Sequence, residues 1–561
     1  MPDFISRYYF IFLWGLLFLD GCNPDTPLPV PAKPVVNARI EGVYINGATI
    51  NNGQTRYDIP IDSVIFHIHF SSDINLKELK REKFRFDNGV DSSYTLLNDT
   101  SKRILSFRIN KPLNYFTTYT LSVSSGRVLG INLTNNYQYS LITQLDPAPK
   151  FPAISDDSLL TLTQKQTFRY FWDFGHPISG LARERTGSGE TVTTGGSGFG
   201  IMAIPIAIER GWITRKQGFE RLTTVVNFLH TKADRFHGAF PHWLNGTSGE
   251  VQPFSAKDDG ADLVETAYLI QGLLTVQQYF KNGNQEEKNI CNTIQEIWEE
   301  VEWTWFQQNG QQKLYWHWSP KYEWEMNMPI TGWNECLIVY VLAASSPTYP
   351  IEKSVYDTGW AQNGAIRNGK SFYDILLPLG EDRGGPLFFA HYSFLGLDPR
   401  NLSDTYANYW TQNRAHAQIN YRYCVDNPNG NFGYSENCWG LSAVDSPTGY
   451  NACSPNNDNG TIAITAALAS FPYTPEESMH ALRYFYFVLG DKIWTEYGFM
   501  DSFNLNKKWV SNSHLAIDQG PIIVMIENYR TGLIWNLFMS NPEIKTGLTK
   551  LGFIYYPVIL S

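Results

Sequence analysis

Residues 262–280 read DLVETAYLIQGLLTVQQYF, and residues 285–307 read QEEKNICNTIQEIWEEVEWTWFQ. The first run is apolar nearly all round, the pattern of a helix buried on every side. The second carries Glu286, Glu287, Lys288, Glu296, Glu299 and Glu300, so one face of it belongs in water. A buried helix followed by a charged one is half of a repeated design. Helical runs are predicted over 158–174, 197–209, 214–233, 262–280, 285–307, 334–344, 355–361, 386–395, 401–424, 459–469, 475–489 and 518–538. The more apolar ones begin near 197, 262, 334, 386, 459 and 518, roughly 60 residues apart with no repeat in the letters. Six such hairpins close into an (α/α)6 barrel, apolar helices inside and charged ones outside. The chain is therefore expected to be mainly α, with this barrel over 155–561.

In such a ring the inner helices run parallel, and their N-termini meet on one rim. The residues that precede them are polar and aromatic: TTGGSGFG (193–200), FPHW (240–243), DDGADLVE (258–265), GWNE (332–335), FFAHY (388–392), NCWG (437–440), SPNNDNG (454–460) and IDQGP (517–521). Sugars offer CH faces to aromatic rings and hydroxyls to carboxylates, amides and imidazoles. Glycosidic cleavage needs one protonated carboxyl group and one carboxylate. The rim supplies both kinds of group.

Each piece has a plainer reading. Asp262 and Glu265 share a helix face and could only complement the helix dipole. Asp518 could be a plain N-cap. Glu335 opens an otherwise apolar helix, where a carboxylate is costly unless paired or functional. The Gly-rich 194–200 run lacks the Lys of a phosphate loop and the preceding strand of a dinucleotide fold, so it reads as close packing under a substrate. The Asn456–Gly460 run lacks the acidic spacing of a calcium loop.

The remainder of the chain differs in kind. Residues 1–22 carry Arg7, an apolar run from Tyr8 to Leu19 and then Leu-Asp-Gly-Cys22, the order of a lipoprotein-type signal peptide with Cys22 as lipidation site. Residues 23–35 are a Pro-rich tether. Residues 36–147 alternate in short β-branched and aromatic runs between Asn/Gly/Ser clusters, which predicts a small β-sandwich of Ig-like kind. An exported, lipid-anchored monomer of the cell envelope is expected. Net charge is −10, without a basic run, which argues against nucleic acid. Charged residues are only 17% and aromatics 15%, which excludes disorder and coiled coil. Without Cys22, five cysteines remain, and one disulfide among Cys424, Cys438 and Cys453 is open.

Taken in order, TGGSGFGIM (194–202), GAFPHW (238–243), DLVETA (262–267), WNE (333–335), LFFAHYS (387–393) and CWGL (438–441) resemble the glycoamylase-like domain of glycoside hydrolase family 144. The resemblance covers about 155–550. It implies the same barrel, inverting hydrolysis, a β-1,2-glucan substrate and acidic positions at Asp262, Glu265, Glu335 and Asp518. In the mechanism expected, Glu335 protonates the leaving oxygen and Asp518 activates water, directly or through a substrate hydroxyl, the two roles being exchangeable, while Asp262 and Glu265 position hydroxyls. Phe199, His242, Trp243, Trp333, Asn334, His391, Tyr392 and Trp439 are candidate sugar contacts. Neither a metal nor an organic cofactor is required. Other readings stay open: another glucan linkage, a non-catalytic glycan-binding lipoprotein, or a polysaccharide lyase using Tyr392 with His391, or Tyr421 with Arg414 and His416.

Overall fold

The computed structural model describes residues 34–90 and 94–556. The leader, Cys22 and the tether up to residue 33 lie outside the described residues. The chain divides into two compact units, Met1–Thr143 and Gln144–Ser561.

The first unit is built of strands. Ala48–Ile50, Ile40–Ile45, Ile65–Phe70, Ile104–Ile109 and Tyr94–Leu97 form a five-stranded antiparallel sheet in that order. Thr55–Ile59, Tyr137–Thr143, Thr118–Val123 and Phe84–Phe86 form a second sheet, in which only the first pair is parallel. Strand Ile65–Phe70 shows the cause: Phe66, Ile68 and Phe70 are buried, while the residues between them are partly exposed. That period of two gives each sheet one dry face. The dry faces share one core, where Phe66 stacks on Phe107 at 5.0 Å and meets Phe86 of the other sheet at 5.4 Å.

The second unit is built of helices. Thr194–Glu209, Leu263–Phe280, Leu337–Ser345 and Ala516–Arg530 are buried along most of their length. Asp156–Trp172, Arg215–Thr231, Gln285–Glu299, Tyr409–Asp426 and Pro475–Phe487 bury one face only. The first two buried helices touch backbone to backbone. A Cβ on Gly198 would lie 2.2 Å from the Tyr268 carbonyl oxygen, and one on Gly272 would lie 2.2 Å from that of Gly198. Only glycine permits that approach.

Several expected helices are shorter or broken. The run at 386–395 is two 3-10 turns, Leu387–Ala390 and Tyr392–Phe394. No longer helix follows, and Pro399 disfavours a helical conformation at the residue before it. Ile464–Leu468 has five residues, cut off before Pro472. The run at 285–307 ends at Glu299, with a 3-10 turn at Trp305–Gln307. The run at 355–361 is a turn at Lys353–Val355 leading into a π-helix, Tyr356–Trp360. The run at 518–538 is two helices, Ala516–Arg530 and Leu533–Met539, parted at Gly532 with φ 70°. Pro542–Leu551, capped by Asn541 with Pro in its first turn, was not expected.

Candidate active site

A cavity of about 360 Å³ opens where the buried helices begin. Glu184, Arg185 and Thr193 lead into Thr194–Glu209; His242, Trp243 and Phe254 lead into Leu263–Phe280, which adds Glu265 and Tyr268. Trp316 and Glu335 precede Leu337–Ser345, and Phe388 and Tyr392 come from the two 3-10 turns. Tyr450 stands on the hairpin Ala443–Ser446/Gly449–Ala452. Leu515 and Ile517 flank the start of Ala516–Arg530. Phe254 and Tyr450 are 51% and 54% exposed, so their rings are open to a ligand.

On one side lies a cluster of carboxyl groups around an imidazole. Asp262 caps its helix: Oδ1 accepts from the N–H groups of Val264 and Glu265, at 3.0 and 2.9 Å. Oδ2 is 2.9 Å from His242 Nδ1. Asp258 Oδ2 is 3.8 Å from the same nitrogen and 3.4 Å from His317 Nε2. Glu265 Oε1 is 4.0 Å from His242 Nε2, and its Oε2 accepts from Gly195 N–H at 2.7 Å. A Cβ on Gly195 would lie 2.5 Å from that oxygen, which explains the first glycine of the Gly-rich run.

Burial alone would depress the His242 imidazolium, but Glu265, Asp262 and Asp258 outweigh it and lift it to about 9. Burial pushes Asp262 upward, yet His242 and His317 bring it below the usual carboxylate range. Burial, reinforced by the Asp262 charge, raises Asp258 to about 7. Burial raises Glu265 to about 7 as well, against the pull of His242. The three groups His242, Asp258 and Asp262 bring one ligand atom each within 4.8 Å of one another. His242 holds its proton against Asp262, so a charged imidazolium, which cannot ligate, already compensates the carboxylates there.

Glu335 sits two residues before its helix rather than in the first turn. Its carbonyl oxygen accepts from the Ser393 hydroxyl and, at 3.4 Å, from Tyr268. Burial, aided by the charges of Glu265 and Asp262, raises its carboxyl to about 7.

On the other side Asp518 is fully buried and does not line the cavity, so it has no open face for direct contact with water. Its Oδ1 accepts from the Tyr392 hydroxyl at 3.3 Å. It is hydrogen-bonded to Asp501, which the sequence reading missed. Asp501 Oδ2 accepts from Asp445 N–H at 2.7 Å. Asp445 binds Arg185 through both carboxylate oxygens, at 3.0 and 3.1 Å, and Arg185 also holds Glu184. Burial and the partner's charge push Asp518 well up, and burial raises Asp501 to about 7.

Of the expected sugar contacts, His242, Trp243 and Tyr392 line the cavity. The others do not. Phe199 is buried against Tyr268 and Tyr392, one layer below. Trp333 packs on Phe394 and Tyr409. The Asn334 side chain accepts from Cys336 N–H at 2.9 Å and shapes the turn. The Trp439 indole donates to the Glu477 carbonyl at 3.1 Å within the core. His391 pairs with Ser470 at 3.0 Å, and His416 with the Gly385 carbonyl at 3.1 Å. Burial drops those imidazoles to about 3 and about 4, and neither lines the cavity. Cys291, Cys336, Cys424, Cys438 and Cys453 are free and buried.

The Glycoamylase family model matches residues 327–542. An exo β-1,2-glucooligosaccharide sophorohydrolase acting at the non-reducing end, from Parabacteroides distasonis, is 47% identical over 73% of this chain, which spans 60% of that protein. An endo-β-1,2-glucanase from Chitinophaga pinensis, solved with sophorotriose and glucose, is 52% identical over 72% of this chain and 99% of its own, with a TM-score of 0.70. A β-1,2-glucanase structure from Parabacteroides distasonis is 38% identical over 94% of this chain and 74% of its own, also at 0.70. These neighbours fit an α-helical barrel for the second unit.

Proposed function

The chain belongs to the glycoamylase-like family, and on that premise we propose that it hydrolyses β-1,2-linked glucan to short oligosaccharides. One observation carries the reading. Glu265 and Glu335, each raised to about 7, face one cavity among Trp243, Phe254, Trp316, Phe388 and Tyr450. Carboxyl groups that are half protonated at neutral pH are suited to proton transfer, and aromatic faces suit pyranose rings. The named activities of the relatives point to the linkage.

In this mechanism Glu335 gives its proton to the glycosidic oxygen as the bond from C1 to that oxygen breaks. Water attacks C1 from the opposite face, which inverts the anomeric centre. The water's proton passes to the Tyr392 oxygen while Tyr392 hands its own to Asp518 Oδ1. Asp518 is thus the base through a tyrosine, not by contact. Asp262 and Glu265, held by His242 and Gly195, position sugar hydroxyls.

The experiment is incubation of the chain with linear β-1,2-glucan, with products resolved by chromatography and their anomeric form read by proton NMR. Short β-1,2-linked products of inverted configuration are expected. Absence of product, or cleavage of another glucan alone, would overturn the reading. The helical unit is read as an (α/α)6 barrel and the strand-built unit as an Ig-like spacer. Cys22 in its leader supports a lipid-anchored envelope protein, which labelling with a fatty-acid analogue tests.

A further inference from the structure

Asp501 and Asp518 differ from every other carboxyl group of the cavity in what lies between them. They are hydrogen-bonded to each other, and both are 1% exposed or less. Two buried carboxylates cannot stand together unless they share a proton. Asp501 Oδ1 and Asp518 Oδ2 are both buried and receive no hydrogen bond from any N–H or hydroxyl group among the described residues, as expected of two acid oxygens that face each other. The remaining oxygens have separate donors: Asp445 N–H on Asp501 Oδ2, and the Tyr392 hydroxyl on Asp518 Oδ1.

The donors divide the labour. The short bond from Asp445 N–H favours negative charge on Asp501, so the shared proton belongs on Asp518 Oδ2. Asp501 is fixed from its backbone too. Its N–H donates to the Ser513 carbonyl at 3.0 Å, and the Ser513 hydroxyl donates to Asp445 at 2.6 Å. The charged and titratable groups that act on the pair are Asp445, Arg185, Tyr170, Tyr392, Tyr450 and Cys453. Arg185 is the one cation among them, and it is spent on Asp445 and Glu184.

We propose that Asp501 is a positioning residue of the reaction, the final holder of the proton that the attacking water loses. This rests on the reading above, in which Asp518 accepts a proton through Tyr392. When Oδ1 of Asp518 gains that proton, Oδ2 releases its own to Asp501 Oδ1. The pair starts with one proton and one negative charge, and ends with two protons and none. The negative charge of the pair is cancelled as the water is deprotonated, while Glu335 becomes negative on giving up its proton, so the net charge of the site is unchanged. A macroscopic pKa near 7 for the second proton fits a base working at neutral pH.

Asp501→Asn tests this. The amide keeps the size, can accept from Asp445 N–H and can donate to Asp518, but it cannot take a proton. Expected results are a fall in kcat of roughly 100-fold with KM little changed, and an acid limb of the kcat profile shifted down by about one unit or more. Asp501→Glu should restore part of the activity. Loss of kcat with an unmoved acid limb would mean a merely structural residue and overturn the proposal, as would full activity. Infrared difference titration of the carboxylic-acid stretch gives a readout without substrate. Beside the bands of Asp258, Glu265 and Glu335, one band titrating near neutrality should vanish in both Asp501→Asn and Asp518→Asn. An active wild type from which the two substitutions remove no common band overturns the shared proton alone. A common band lost from a wild type that cleaves no β-1,2-glucan overturns the functional reading and leaves the shared proton established.

Discussion

The two sides of the cavity solve one problem in two ways. Asp258, Asp262 and Glu265 crowd together on one side, Asp501 and Asp518 on the other, all buried. On the first side the compensating charge is an imidazolium: His242 lies 2.9, 3.8 and 4.0 Å from the three carboxyl groups. On the second side no cation touches the pair, and a proton takes its place. A cation fixes the charge of its neighbours across a wide pH range, whereas a shared proton comes and goes near neutrality. The first arrangement suits holding a substrate and the second suits moving protons. Glu335, between the two in function, has neither compensation, and burial together with the charges of Glu265 and Asp262 keeps its proton on.

That contrast can be broken at several points. The largest effect is expected at Glu335→Gln, which removes the acid. kcat on linear β-1,2-glucan should fall about 1,000-fold with little change in KM, measured by product release. Next is His242→Gln, which strips the cation from the first side only. Leaving buried carboxylates uncompensated should cost roughly 3 kcal/mol in urea unfolding, with Asp262 no longer held below the usual carboxylate range. A variant as stable as wild type would show that the imidazolium is not what balances the cluster.

A third outcome concerns pH. Above about 6.5 the unfolded chain has released its carboxyl and most imidazole protons. The folded chain still holds one on His242, up to about 9, and part of one on each of Asp258, Glu265 and Glu335, up to about 7. The folded state therefore binds more protons, and stability must fall as pH rises from 6.5 to 9. His317, His391, His416 and His514, held low by burial, act in the opposite sense, an effect that fades across the lower part of the window as the unfolded imidazoles lose their protons. Thermal melting across the window checks this, and His242→Gln should flatten its upper half. The smallest effect is expected at Tyr450→Ala, where loss of one exposed ring should raise KM roughly 3- to 10-fold and leave kcat alone.

The residues legible from sequence are those that interrupt a pattern. Asp262, Glu265 and Glu335 stand where apolar helices begin, and a carboxylate there is conspicuous. Asp501 lies just before the three-residue strand Ser502–Asn504, among loops without period, so nothing in the letters sets it apart. Phe254, Trp316 and Tyr450 likewise come from loops or a hairpin, and only the folded chain brings them to the cavity. The opposite error has one cause. Phe199, Trp333, His391 and Trp439 are next to rim residues in sequence, but their side chains turn into the core. Adjacency in a motif says where the backbone is, not where the ring points. The apolar helices were readable wherever they run long; they failed at 386–395 and 459–469, which fold as two 3-10 turns and a five-residue helix with prolines close behind.

The contact of Gly198 with Gly272 has a bearing on how this enzyme can be altered. Two helices pressed together at their backbones cannot slide or part to suit a different substrate, since any larger side chain at either glycine collides with main chain. Gly195 and Glu265, joined by a hydrogen bond, ride on those same helices. The floor beneath the scissile bond is thus a fixed datum, and diversity must be written in what surrounds it. Mutational libraries aimed at a new chain length or linkage belong around the exposed Phe254 and in the 443–452 hairpin that carries Tyr450, where a Cβ on Gly449 would meet nothing within 4 Å.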